Sequence, residues 1–160
     1  MRIARLFIAL AACGALAGAP HAFAQDAFDA CAVFTQDDAE KALGTSAAGE
    51  PANPKVKRPK VVTSCTYTGS KDGKAVAASA QFKVSRTNDE ATRQFEEARL
   101  QSQTKPMILS GAEAFWAGKV GQMHVRKGKT WITLSVGPAK VNEREIDQAK
   151  KLAEILIKKL

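Results

Sequence analysis

The sharpest periodicity in the chain lies between Ala75 and Arg86, where Val76, Ala78, Ala80, Phe82 and Val84 alternate with Ser79, Gln81, Lys83 and Ser85. A two-residue repeat puts the first set on one side of a strand and the second on the other, so the segment reads as an antiparallel strand with one wet face. Before it, Val61 to Thr68 alternates more loosely, with Val61, Thr63, Cys65 and Tyr67 sharing a side, and Gly69 to Gly73 supplies the turn. A second hairpin runs from Gln122 to Arg126, turns at Lys127-Gly128-Lys129 and returns from Thr130 to Val136. In it, Met123 and Val125 share a side with Ile132, Leu134 and Val136, while His124, Arg126 and Trp131 occupy the other. Between the hairpins, Met107 to Leu109 begins a strand, and Phe115-Trp116 reads as strand or a short helical turn.

Three segments carry helical spacing instead. Thr35 with Asp38 three residues on has the spacing of a capping box, and it predicts a short helix over 36–43 closed by Gly44. Thr87 with Glu90 opens a second helix, in which Ala91, Phe95 and Ala98 form a stripe that ends near Ser102. Asn142 with Glu145 opens a third, with Ile146, Ala149, Ala153, Leu156 and Leu160 on one side, widened by Leu152. The order hairpin–helix, hairpin–helix is a ββα pseudo-repeat. It predicts an α+β fold: an antiparallel sheet of about five strands, both long helices on one face, and a short N-terminal helix. The opposite face is then partly open and gathers Gln81, Lys83, His124, Arg126 and Trp131, a candidate binding face.

The N-terminus changes the picture from a plain domain to an exported one. Arg2 and Arg5 precede an apolar run from Leu6 to Ala19, Pro20 breaks it, and Ala22-Phe23-Ala24 is a cleavage signal before Gln25. Residues 1–24 therefore read as a secretory signal peptide, leaving one domain over 25–160 and a periplasmic or secreted location. A second route is open: Leu10-Ala11-Ala12-Cys13 fits a lipobox, and cleavage there lipidates Cys13 and anchors the protein to the envelope. Only Leu6 to Ala12 separates Arg5 from Cys13, a short apolar stretch, so cleavage after Ala24 is preferred. With Cys13 set aside, Cys31 and Cys65 are an even pair in an exported chain and are expected to form a disulfide.

The 160-residue chain carries a net charge of +8. Lys55, Lys57, Arg58 and Lys60 concentrate part of that charge in a proline-rich loop, a candidate anion patch for an anionic envelope surface. No aromatic side chains are interleaved with it, so nucleic acid is not an expected partner. After export His124 is the remaining histidine, without a cysteine or carboxylate cluster nearby, so neither a metal nor another cofactor is expected. Asp37-Asp38 and Glu96-Glu97 are sequence neighbours on helices and point apart, which makes neither an acid–base pair. No nucleophile elbow, zinc-protease motif or phosphate loop is present, and the expectation is a non-catalytic binding or interaction module for a periplasmic ligand or protein. The alternatives are a lipoprotein docked on anionic envelope surfaces and an enzyme of unfamiliar type with His124 as its base.

Cys31-Ala-Val-Phe-Thr-Gln-Asp-Asp-Ala-Glu-Lys-Ala-Leu-Gly44, followed by Ser64-Cys65-Thr-Tyr67, resembles a group of small exported bacterial proteins of unknown function with the pattern C-x-L-L-T…L-G…S-C-x-W/Y. Ser110-Gly-Ala-Glu-Ala-Phe-Trp116, the strand from Met123 and the closing Leu152-Ala-Glu-Ile-Leu extend the likeness over nearly the whole mature chain. In outline the chain is also similar to uncharacterised actinobacterial lipoproteins and, more distantly, to extracellular sensor domains of bacterial Ser/Thr kinases. The resemblance implies the disulfide and an α+β sandwich, and it supplies no catalytic residues. Phe34 stands where the pattern has leucine, and the lipobox is marginal.

Overall fold

The computed structural model describes residues 28–48 and 62–160. The segment expected to be the signal peptide, Cys13 and the basic run Lys55 to Lys60 lie outside the described residues.

The chain begins with two short helices, α1 (Ala30–Val33) and α2 (Gln36–Leu43). Asp29 accepts from the Cys31 amide and so caps α1. Thr35 and Asp38 make the expected capping box at α2, and Gly44 closes it in the left-handed region at φ 68°. Then come β1 (Ala47–Ala48), β2 (Val62–Lys71) and β3 (Lys74–Val84). The first hairpin is longer than expected. Pairing continues through Gly69 and Ser70 to Lys71 opposite Lys74, leaving a turn of Asp72 and Gly73. Both have positive φ, 52° and 75°, the backbone that an Asp-Gly hairpin turn adopts and that matches the twist of the flanking strands.

Helix α3 (Asn88–Gln101) follows, then β4 (Met107–Leu109), β5 (Ala112–Ala117), β6 (Gln122–Lys127) and β7 (Thr130–Pro138). The closing helix α4 spans Ile146–Ile157. It starts later than the Asn142 cap predicts, because Val141–Glu143 is a separate 3-10 turn and Glu145 caps the helix without a side-chain hydrogen bond. It also ends early. Ile157 is buried and Leu160, expected on the stripe, is 36% exposed.

All neighbouring strands pair antiparallel in the order β1-β2-β3-β7-β6-β5-β4. Among the described residues, six strands of three residues or more are present rather than five, because Phe115-Trp116 belongs to strand β5, and the two-residue β1 is added at one edge. On one face, Cys65 and Tyr67 of β2 meet α1, and the buried side chains of β3 (Val76, Ala78, Ala80, Phe82), β6 (Met123, Val125) and β7 (Ile132, Leu134, Val136) meet α2 and α4.

The placement of α3 departs from the expectation of both long helices on one face. Helix α3 lies on the opposite face, where Phe95 contacts Phe115 and Trp131 with ring centroids 5.0 and 6.0 Å apart. Phe95, Phe115 and Ala117 form a second small core separate from the main one, with Ala98 and Trp131 against it. The stripe Ala91-Phe95-Ala98 is narrow and made mostly of small side chains, so a few aromatic groups suffice to bury it. The ββα order repeats along the chain, but its two helices occupy opposite layers.

Two of the links that fix the N-terminal helices join residues far apart in sequence. The Cys31–Cys65 disulfide joins α1 to β2, with Cα atoms 5.2 Å apart. Asp38, 3% exposed, pairs with Lys159 just beyond α4, and Lys159 also donates to the Val33 carbonyl at 3.1 Å. Burial alone pushes the Asp38 carboxyl up, but hydrogen bonds from Lys159 and Thr35 outweigh it and hold the group below its ordinary 3.8. A depressed carboxyl contributes stability above its unfolded value and loses it as pH falls through the folded one. Asp38→Asn is expected to cost about 2 kcal/mol at neutral pH, moderated by the partial exposure of Lys159, and to flatten the acid limb below about pH 4. Urea titrations at neutral and strongly acidic pH check this.

Candidate functional site

The face that carries α3 is only half covered by it. The registry across β2, β3, β7, β6 and β5 orders this face into rows. One row runs Val62, Lys83, Trp131, Arg126, Glu113, and the next runs Ser64, Gln81, Thr133, His124, Phe115. A third begins with Thr66, Ser79 and Ser135, whose side chains are short and polar. Gln81, Lys83, His124, Arg126 and Trp131 therefore do share one face, at adjacent positions. Their environments differ, and α3 is the cause.

His124 and Arg126 lie toward the covered side. The His124 ring stacks on Phe115 at 4.5 Å between centroids and 10° between planes, and it lies 5.8 Å from Trp131. Its Nδ1 accepts from Trp131 Nε1 at 3.3 Å. An indole nitrogen only donates, so Nδ1 is the acceptor and the neutral ring carries its proton on Nε2. Burial pushes the His124 pKa down to about 4. Arg126 is held by Glu113 directly across the β5–β6 pair, with Nε 2.8 Å from the carboxylate, and its side chain is 14% exposed. Its charge is neutralised locally.

Gln81, Lys83 and Trp131 lie toward the uncovered side. With Val62 and Thr133 they line an open depression of about 310 Å³. The Lys83 ammonium sits 5.4 Å from the Trp131 ring centroid, a cation–π contact. Trp131 is half-buried, with the Phe95 ring edge-on to it, so its orientation is set from the α3 side. Thr133 Oγ1 lies 3.3 Å from the same His124 Nδ1 that Trp131 addresses. Nδ1 has one lone pair for two suitors, and Trp131 can only donate to it. The Thr133 hydroxyl can share that lone pair or turn its hydrogen into the depression.

Val62 and Thr133 are the lining residues that sequence reasoning did not single out. Thr133 was legible: it alternates with Trp131 and Ser135 on β7 and so belongs to the same face.

The pH response of the His124 environment is expected to be visible in stability. His124 is neutral in the fold and has the ordinary value of 6.5 when unfolded, so protons favour the unfolded chain between about 6.5 and about 4. Stability is full above that window and falls by about 2 kcal/mol on going from neutral pH to about pH 5. Chemical denaturation across this range checks it, and His124→Gln should remove the slope. The Asp38 effect lies lower, below that group's ordinary 3.8, so the two limbs are separable.

Among the described residues, no three histidine, cysteine or acidic side chains are grouped so as to hold a metal ion, and no helix is long and apolar enough to cross a membrane. The disulfide is compatible with an extracellular or periplasmic location. No family model matches the chain, and no curated protein or solved structure matches it either.

Proposed function

We propose that this is an exported, non-catalytic binding module whose ligand sits on the uncovered half of the sheet face, over Gln81, Lys83, Trp131 and Thr133. The observation that carries this reading is the half-coverage itself. Helix α3 buries the apolar part of the face and stops short of a polar floor that ends at an oriented tryptophan and a lysine. Sheet positions hold the backbone in place, so the ordering cost on binding is confined to the side chains. The enzymatic alternative rests on His124 as a base. Its Nδ1 is engaged by Trp131 and its ring lies against Phe115, an arrangement that favours a supporting role behind the depression.

A thermal-shift screen of small organic acids, sugars and dipeptides on the mature protein tests the reading. Compounds that raise the melting temperature of the wild type are expected to leave a Gln81→Ala/Lys83→Ala double variant unmoved, with unchanged circular dichroism. Equal stabilisation of both proteins by every active compound would place the site elsewhere.

A further inference from the structure

The depression at Trp131 has a charge pattern that narrows its ligand. Among the described residues it is lined by Val62, Gln81, Lys83, Trp131 and Thr133, none of them acidic. Lys83 forms no ion pair among the described residues, and its ammonium is instead turned over the Trp131 ring. The nearest acid in the same cross-strand row, Glu113, is engaged by Arg126 on the covered side. A second depression, of about 200 Å³, lies between the β2–β3 turn and the start of α4 and makes a contrast. It is lined by Lys71 and Lys74 but also by Asp72, Glu143 and Glu145, so its charges compensate one another. At Trp131, among the described residues, no acidic side chain stands against the Lys83 charge.

The remaining groups set shape and polarity. Trp131 and Val62 give a flat apolar surface beside the lysine. Gln81 offers an amide, and Thr133 offers a hydroxyl that shares His124 Nδ1 with Trp131. The neighbouring row, Thr66, Ser79 and Ser135, is polar, so the surface does not continue into an apolar track suited to an acyl chain. About 310 Å³ is at the small end of ligand sites, a volume for one ring rather than a chain of them.

We infer that the ligand of this depression is a single ring bearing a carboxylate, an acidic sugar unit or an aromatic acid, with the carboxylate on Lys83, the ring against Trp131, and Gln81 and Thr133 bonding its polar edge. The inference rests on the binding reading above and adds the class of ligand to it. A charge-assisted bond from a lysine already oriented by an aromatic ring supplies the preference for acid over neutral ring.

The test uses two matched pairs, glucuronate against glucose and benzoate against benzyl alcohol, followed by NMR of the indole N–H signals of the mature protein. Trp131 and Trp116 lie on opposite faces of the sheet, so Trp116 serves as an internal reference. One acid of the two is expected to shift the Trp131 signal and not that of Trp116. Its binding should be roughly tenfold tighter than that of its neutral partner and should weaken as salt is added. Lys83→Met is expected to erase the difference between acid and neutral ring, and Lys83→Arg to retain it. The acid that binds tells a sugar ligand from an aromatic one. Neutral rings that bind as well as their acids, with Lys83→Met no different from wild type, would overturn the ligand class and leave the binding reading standing. If no probe moves the Trp131 signal, the ligand class falls. The binding reading falls with it only if the thermal screen also finds nothing that depends on Gln81 and Lys83.

Discussion

Replacing Phe95 by alanine is expected to lower stability by about 4 kcal/mol and to release α3 from the sheet while the main core persists. Phe95 is 1% exposed and is the one large side chain that α3 places in the small second core. Its other buried contribution is Ala91, which cannot hold a fourteen-residue helix on a sheet by itself. The loss exceeds simple transfer of a ring to water, because Phe115 and Trp131 lose their partner and the space between them does not collapse. Urea titration monitored by tryptophan emission gives the magnitude, and amide exchange gives the location: α3 should lose protection and α4 should keep it. A loss below about 1 kcal/mol would mean that α3 does not depend on this contact. Because Phe95 also orients Trp131, the same variant is expected to blur the depression beside it.

Breaking the Cys31–Cys65 disulfide is expected to cost about 3 kcal/mol, a little under the 3.8 or so that chain entropy alone assigns to a loop of this length. The location of the effect is the informative part. On closeness in sequence alone, a bridge at Cys31 would keep the short helix over 36–43 docked, and that helix would loosen on reduction. The fold distributes the work differently. Helix α2 buries Ala39, Ala42 and Leu43 against its neighbours, and Asp38 ties it to Lys159 at the end of α4. The bridge itself ends in α1, a single turn with one buried residue. A Cys31→Ser/Cys65→Ser variant is therefore expected to lose amide protection in α1 and to retain it in α2. Loss of α2 protection ahead of α1 would restore the simpler picture.

Much of the fold was legible because several levels of pattern agree. The alternation in β3 and β7 reports a sheet buried on one side, and the capping box at Thr35 and Asp38 forms as its spacing requires. The layer of α3 was not legible in the same way. Its stripe is compatible with either face, and the deciding partners, Phe115 and Trp131, sit on strands read mainly for their other side. The start of α4 was missed because Asn142 and Glu145 imitate a capping box, while Asn142 is spent in the 3-10 turn Val141–Glu143 and Glu145 itself becomes the cap. At the candidate site, alternation alone placed Gln81, Lys83, His124, Arg126 and Trp131 on one face. Which of them face solvent depends on how far α3 extends across that face, a tertiary fact. Arg126 looked available because its partner, Glu113, lies on a neighbouring strand whose register only the sheet reveals.

The strand order has a kinetic side. The β2–β3 hairpin and the β4-β5-β6-β7 meander each form from neighbours in sequence. They meet only along β3 and β7, where every pair from Val84–Thr130 to Val76–Pro138 spans the α3-to-β6 segment. Each half therefore has a quick route to its own pairing, and the seam between them closes a long loop before it gains contacts. That seam is where the folding barrier should lie. Lys83–Trp131 is one of its pairs, so the depression exists only once the two halves have zipped together.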